Sequence, residues 1–397
     1  MCENSESTGI AINNDIFDEI WRFRPAPLFP MLRGLYWTHH QSGHSSRRLI
    51  AGLLPFTTQS LRSLHLESNQ FDHWSLFGTD GVFQMFLDDL PRRTPLLKTL
   101  ILAGCVADLS FDFFVGLPHL GNLVISFLQD LSGAAVRRML AAIARLLPLQ
   151  SLVISGVEAF HLLPNFTLSG FPSLRSITLR SCDATSALRL TEMFANSPLL
   201  HYELWVNWRR WRDSLTCLEL VTNAHPNLVK FWMTSTAHSA SATRTEGHEV
   251  AMALLESLLI LRRLEELTLS VPVPSTSTLK PDFVRKMALA WPKIRVMHLE
   301  SETYSFTLHT LPLFVSLCPT LTSLHVYSIV DLEQQPTPLL SSPSFHQLRV
   351  TARVQDCEPD DLQAALQFLF PRLEAPSWWK FGYVDSHFGY TVKFGHD

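Results

Sequence analysis

One short phrase constrains this chain more than any other feature. Pro-x-Leu-x-x-Leu-x-Leu, with substitutions at every place, recurs along nearly all of its 397 residues. It reads clearly in Pro95-Leu-Leu-Lys-Thr-Leu-Ile-Leu102, Pro118-His-Leu-Gly-Asn-Leu-Val-Ile125 and Pro319-Thr-Leu-Thr-Ser-Leu-His-Val326. Looser forms stand at Phe29–Trp37 and Pro343–Val350. The first apolar residues of the phrases fall at 32, 61, 97, 120, 149, 174, 200, 228, 264, 294, 321 and 345. Their mean spacing is about 28 residues, a period that means stacked coils.

Within each phrase apolar and polar residues alternate as they do along a strand. Between phrases, apolar residues three or four apart predict helices over Leu131–Leu147, Ser186–Asn196, Ser214–Ala224, His248–Leu261, Phe283–Trp291 and Asp360–Phe370. Asp80–Leu90 and Leu308–Leu317 carry weaker helical patterns. The proline opening most phrases ends the preceding helix, because it has no N–H and restricts the residue before it. A coil this small cannot bury its own apolar face, so coils must share a continuous core. Paired strands lie about 4.8 Å apart, whereas helices are about 10 Å across. The expectation is therefore an α/β solenoid, a curved horseshoe with parallel strands on the concave face and helices and loops on the convex face.

About twelve irregular repeats span 28–373, with a lead-in or cap at 1–27 and an aromatic cap or tail at 374–397 that contains Trp378, Trp379, Phe381, Tyr383, Phe388 and Tyr390. Two long gaps hold His73–Asp80 and the Ser/Thr-rich Thr234–Thr245, the latter expected as a flexible surface insertion. Three phrases extend to L-x-x-L-x-L-x-x-N/C, ending on Asn69, Cys105 and Cys182. There the chain turns inward, and the side chain can bond backbone groups of the neighbouring turn. Cys105 and Cys182 thus read as interior ladder residues.

These features resemble the leucine-rich-repeat superfamily. More narrowly, the opening Leu28-Phe-Pro-Met-Leu-Arg-Gly-Leu-Tyr-Trp37, the uneven repeat lengths and Phe171-Pro-Ser-Leu-Arg-Ser-Ile-Thr-Leu179 resemble fungal F-box/leucine-rich-repeat proteins. In that family an N-terminal F-box docks on the Skp1 adaptor of a cullin ubiquitin ligase while the repeats hold the substrate. The resemblance covers about 28–373. It does not extend to an F-box: residues 1–27 lack the family's Leu-Pro-x-Glu phrase, and Asp15–Trp21 reads as a helix leading into the repeats. A Skp1-type adaptor is implied only if an F-box is supplied upstream; the alternative is a freestanding scaffold with no ligase link.

Composition excludes several function classes. With 32 Lys+Arg against 36 Asp+Glu the formal charge is −4, which lacks the cationic surplus that phosphate binding needs. Neither nucleic acid nor a membrane surface is expected as partner. The six cysteines form no C-x-x-C pair, and the polar, acidic start is unlike a signal peptide. A reducing cytoplasmic or nuclear compartment is expected.

Catalytic and cofactor chemistry is not expected. His39-His40-x-x-x-His44 has metal-like spacing but no Cys or carboxylate nearby, and His248-Glu249 lacks the second His of a zinc helix. The set of metal ligands, cofactor ligands and catalytic residues is therefore empty. Binding is the better reading, with a protein or peptide ligand on the concave face. The middle line of the strands reads His65, Ile101, Val124, Val153, Thr178, Trp232, Thr268, His298, His325 and Arg349; flanking lines add Arg62, Lys98, Arg175, His201, Lys230, Arg295 and His346. The face is expected to be mixed and mildly basic. Trp and Arg are favoured interface anchors. In Trp205-Val-Asn-Trp-Arg-Arg-Trp-Arg212 the tryptophans are expected to pack between repeats and the arginines to line the surface, the alternative being that they stack and bind an acidic partner or nucleic acid.

Overall fold

A computed structural model describes residues 27–39, 52–68, 81–104, 109–126, 133–156, 170–207, 211–235, 244–271, 277–300, 304–330, 347–353, 369, 379–384 and 387–394. The chain divides into two compact units, Met1–Leu162 and Leu163–Asp397. Both have the leucine-rich-repeat fold.

In unit 1, strands β1 (Gly34–His39), β2 (Ser63–Ser68), β3 (Thr99–Ala103), β4 (Asn122–Ser126) and β5 (Ser151–Ser155) lie side by side in chain order. All pair in parallel. Helices α1 (Val82–Arg93) and α2 (Gly133–Ala144) and short 3₁₀ turns at Leu54–Phe56 and Asp112–Gly116 join them. The weak helical pattern at Asp80–Leu90 is thus a full helix. It buries Phe83, Phe86, Leu87 and Leu90, the three-and-four spacing of one helix face. Pro91 sits in its last turn, and a Cβ on Gly116 would stand 2.6 Å from Pro91 Cβ, so only glycine fits there.

Unit 2 contains β6 (Ser176–Asp183), β7 (His201–Asn207), β8 (Lys230–Ser235), β9 (Glu266–Ser270), β10 (Ser277–Thr278), β11 (Val296–Leu299), β12 (Tyr304–Thr307), β13 (Ser323–Val326), β14 (Ser328–Val330), β15 (Gln347–Arg353), β16 (Trp379–Val384) and β17 (His387–Phe394). Its helices are α3 (Ala184–Phe194), α4 (Trp211–Ala224), α5 (Arg244–Leu258), α6 (Pro281–Ala290) and α7 (Thr310–Leu317). The main sheet runs β6-β7-β8-β9-β11-β13-β15 in parallel. β17 then pairs antiparallel with β15, and β16 with β17. A second parallel ladder, β10-β12-β14, has no counterpart in the sequence reading.

The repeated phrase has a repeated backbone explanation. In unit 1 the amides of Leu61, Leu97, Leu120 and Leu149 each donate to the carbonyl three residues back, closing a turn into the strand. One residue later comes a joint between coils. The carbonyl of Arg33 accepts both Arg62 N and Ser63 N, that of Arg62 accepts Lys98 N and Thr99 N, and that of Lys98 accepts Gly121 N and Asn122 N. Unit 2 repeats this through the carbonyls of Arg175, Leu200, Val229, Glu265 and Arg295. The inward side chains, such as Leu64, Leu100, Leu123, Leu152, Ile177, Leu267 and Leu324, are fully buried. Each is worth about 1.5–3 kcal/mol of transfer free energy.

The joints correct one register. The phrase at 198–205 begins on Leu199, not Leu200: Leu199 is buried, its amide donates to Ser197 only two residues back, and the Leu200 carbonyl makes the joint. The Ser197-Pro198 turn is one residue shorter than its neighbours. Every side chain of β7 is thereby assigned, and Glu203 falls on the middle line.

Other expectations fare differently. Thr234 and Ser235 belong to β8, so the Ser/Thr-rich insertion does not begin there; residues 236–243 lie outside the described set. Cys182 is 2% exposed, its sulfur donates to Trp205 O at 3.9 Å, and burial pushes its thiol well above the ordinary range, as an interior ladder residue requires. Asn69, Cys105, His73–Asp80, Asp360–Phe370 except Leu369, and residues 1–26 lie outside the described residues. Among the described residues no helix is long and apolar enough to cross a membrane.

Candidate functional site

Alternation along each strand sends one set of side chains into the core and the other to the opposite, open face of the sheet. Register then aligns the open-face residues into rows. In unit 1 the middle row is Tyr36, His65, Ile101, Val124 and Val153. In unit 2 it is Thr178, Glu203, Trp232, Thr268, His298, His325 and Arg349. The middle line read from the sequence is thus reproduced, with Tyr36 and Glu203 added.

The flanking residues fall into two rows. His201 and Lys230 are the first residues of β7 and β8. Arg62, Lys98, Arg175 and Arg295 stand one place earlier, in the lead-in row whose carbonyls form the joints. They line the strand entrances, because the chain is still turning there and alternation has not begun. Arg349 occupies its expected place in β15; its side chain and all of His346 lie outside the described residues.

Unit 2 concentrates the open-face chemistry. Glu203 accepts from Thr178 Oγ1 (3.1 Å), Arg180 Nη2 (3.1 Å) and Trp205 Nε1 (2.6 Å). The Arg180 guanidinium lies over the Trp205 ring at 5.5 Å, a cation–π contact. Trp205 and Trp232 have ring centroids 5.7 Å apart, and Trp232 Nε1 donates to Thr234 Oγ1 at 2.8 Å. Beside them Lys230 Nζ meets Glu266 Oε1 at 2.6 Å. His201 is held below the ordinary histidine range, first by burial and then by the Lys230 charge. Trp232 remains 40% exposed although its neighbours already satisfy its N–H.

One expectation is overturned here. Trp205 does not pack between repeats; it lies half-buried on the open face, because β7 starts one residue earlier than the phrase suggests. The open face of unit 2 carries both signs of charge: Glu203, Glu266 and Glu300 stand among Arg180, Lys230 and the histidines, with Arg175 and Arg295 at the strand entrances. Trp208, Arg209 and Arg210 are outside the described residues, and Arg212 is exposed on α4.

A second cluster lies on β11 and β13. His298 and His325 are register partners with ring centroids 5.6 Å apart. Glu300 follows His298 by two residues and so shares its face; the Glu300 amide donates to Leu269 O, continuing the ladder past the end of β11. Glu300 Oε1 is 3.7 Å from His298 Nδ1 and 3.4 Å from His325 Nδ1. The three donor atoms lie within 4.8 Å of one another.

No family model matches the chain, and no curated protein matches it. The chain is similar to the internalin (inlF) from Listeria monocytogenes, at 11% identity over 81% of this chain and 85% of that one, with a TM-score of 0.35. A likeness that weak bears on neither fold nor function, and the repeat fold rests on the registers and joints above.

Proposed function

We propose that this protein is a non-catalytic recognition module that holds a protein or peptide segment on the open face of unit 2. The observation that carries the reading is Trp232: a large aromatic side chain left 40% exposed at the centre of a row whose polar groups are already bonded to one another. Such a residue gains by burial against a partner and costs little polar desolvation. The balanced charges around it, Arg180 and Lys230 against Glu203 and Glu266, favour a segment with an apolar anchor flanked by both signs of charge. They disfavour a polyanion such as nucleic acid.

The finer reading is that the chain is the substrate-recognition repeat region of an F-box-type ubiquitin-ligase subunit. The sequence resemblance supports it; a freestanding scaffold is the alternative. Affinity purification with the full chain, followed by Trp232→Ala, tests the first claim. Loss of the captured partner by about tenfold or more is expected for a central aromatic anchor, and an unchanged partner set rejects the site. Reconstitution with purified Skp1 separates the finer readings, since no complex formed by the full-length gene product leaves the scaffold.

A further inference from the structure

The histidine–glutamate cluster is independent of the Trp232 patch and has a chemistry of its own. Two imidazoles and one carboxylate converge from adjacent coils because a cross-strand register pair meets an i, i+2 pair on the same face. We propose that His298, His325 and Glu300 form a binding site for a divalent transition cation, with Zn²⁺ as the best match.

The donor set fits. Two imidazole nitrogens with one carboxylate oxygen suit Zn²⁺, whereas Ca²⁺ and Mg²⁺ take all-oxygen sets that two imidazoles cannot supply. Zn–N and Zn–O distances of about 2.0–2.2 Å put tetrahedral ligand atoms about 3.3–3.5 Å apart. Glu300 Oε1 already stands 3.4 Å and 3.7 Å from the two Nδ1 atoms. Closing the third side, within 4.8 Å, takes a small rotation of one imidazole.

Burial divides the labour among the ligands. The His325 side chain is 10% exposed and positioned by packing, while His298 and Glu300 are about one-third exposed and can adjust. Three protein ligands leave one tetrahedral position open, for water or for a donor carried by a partner. The flanking register positions are Thr268 on β9 and Arg349 on β15. The buried thiols of Cys182, Cys217 and Cys318 do not compete: burial raises all three, the last two to about 12, and holds them protonated.

The test uses the full chain, stripped with a chelator and with accessible thiols alkylated. Titration with Zn²⁺ by calorimetry should saturate at one ion per chain. His298→Ala and Glu300→Gln should each weaken binding by at least about tenfold, the lower range for disturbing a metal site's supporting groups, without shifting the melting curve. Co²⁺ substitution should give a tetrahedral nitrogen/oxygen visible spectrum without thiolate charge transfer. The site is overturned by the absence of saturable binding, by affinity retained in both variants, or by a thiolate band. Loss of binding only on His40→Ala and His44→Ala would equally overturn it, by placing the ion on the other histidine cluster. If either variant proves destabilised, the wild-type Co²⁺ spectrum together with the other variant still decides.

Discussion

Unit 1 and unit 2 are built on one backbone rule yet present different faces. Both close their coils with a turn bonded three residues back, shortened by one at Ser197–Leu199, and lock them with a doubly accepting carbonyl. The middle row of unit 1 becomes apolar after its first two members, ending in Ile101, Val124 and Val153. Unit 2 places Glu203, Trp232, His298 and His325 in its own middle row. The interiors diverge as well. Unit 1 fills its inward row with leucine, whereas unit 2 buries Tyr202, Tyr304 and Trp291 and gives each a bond: Tyr202 with Thr191, Tyr304 to Ala251 O, Trp291 to Leu258 O. Inward positions specify the coil, while outward positions are free to specify what it meets.

Four experiments break or sharpen this contrast. The largest effect is expected from Phe231→Ala, which removes a fully buried ring of unit 2 and should cost about 3–5 kcal/mol. On the open face of unit 1, Val153→Ala should cost under about 1 kcal/mol. Equal losses in denaturant titrations would contradict the assignment of faces.

Acid should separate the units next. The turn position three residues before the first leucine holds Thr58, Thr94, Leu117 and Leu146 in unit 1, but His225 in unit 2. His225 is 3% exposed, its Nε2 has no hydrogen-bond partner among the described residues, and burial pushes it down to about 4, against a weaker opposing backbone bond with Ser197. Because the folded state takes up the proton later than the unfolded chain, stability present above pH ~6.5 is lost as pH falls towards 4. The loss is on the order of 3 kcal/mol. Hydrogen exchange at pH 5 should show β8 and α4 opening while β2–β4 stay protected. His225→Leu, the residue Leu261 places at the same turn of the next coil, should abolish the difference.

A smaller loss, about 1–2 kcal/mol, is expected for Tyr202→Phe, which deletes a buried hydroxyl bonded to Thr191. Its measurable signature is a lower midpoint with an unchanged denaturant slope. The smallest effect belongs to unit 1. Arg33, Arg62 and Lys98 follow one another in the lead-in row of adjacent strands, and like charges placed side by side repel. Lys98→Gln should raise stability by a few tenths of a kcal/mol at low salt and by nothing at high salt, where screening already removes the repulsion.

What the sequence disclosed follows from how far apart the cooperating residues lie. Inward leucines were legible because each phrase contains them whole, and the open-face middle line followed from alternation alone. Glu203 was hidden because Pro198-Leu199-Leu200 offers two leucines for one place, and only the joint at the Leu200 carbonyl chooses between them. The β10-β12-β14 ladder escaped because strands of two to four residues carry no periodic signal. His298 and His325 were singled out, but their meeting with Glu300 requires knowing which residue of one coil lies beside which residue of the next. No spacing within a single coil encodes that.

The coil-to-coil joint is a main-chain device, joined by a side chain where Thr322 Oγ1 also donates to the Arg295 carbonyl at 2.9 Å, and its carbonyl is carried by Arg, Lys, Gly, Leu, Val and Glu in turn. Docking one coil on another therefore demands nothing of the side chain that carries the joint carbonyl. A duplicated gene segment one period long would dock without new complementarity, and a deleted one would leave compatible ends. Length, and with it the extent of surface on offer, is in this architecture a quantity that ordinary recombination can adjust.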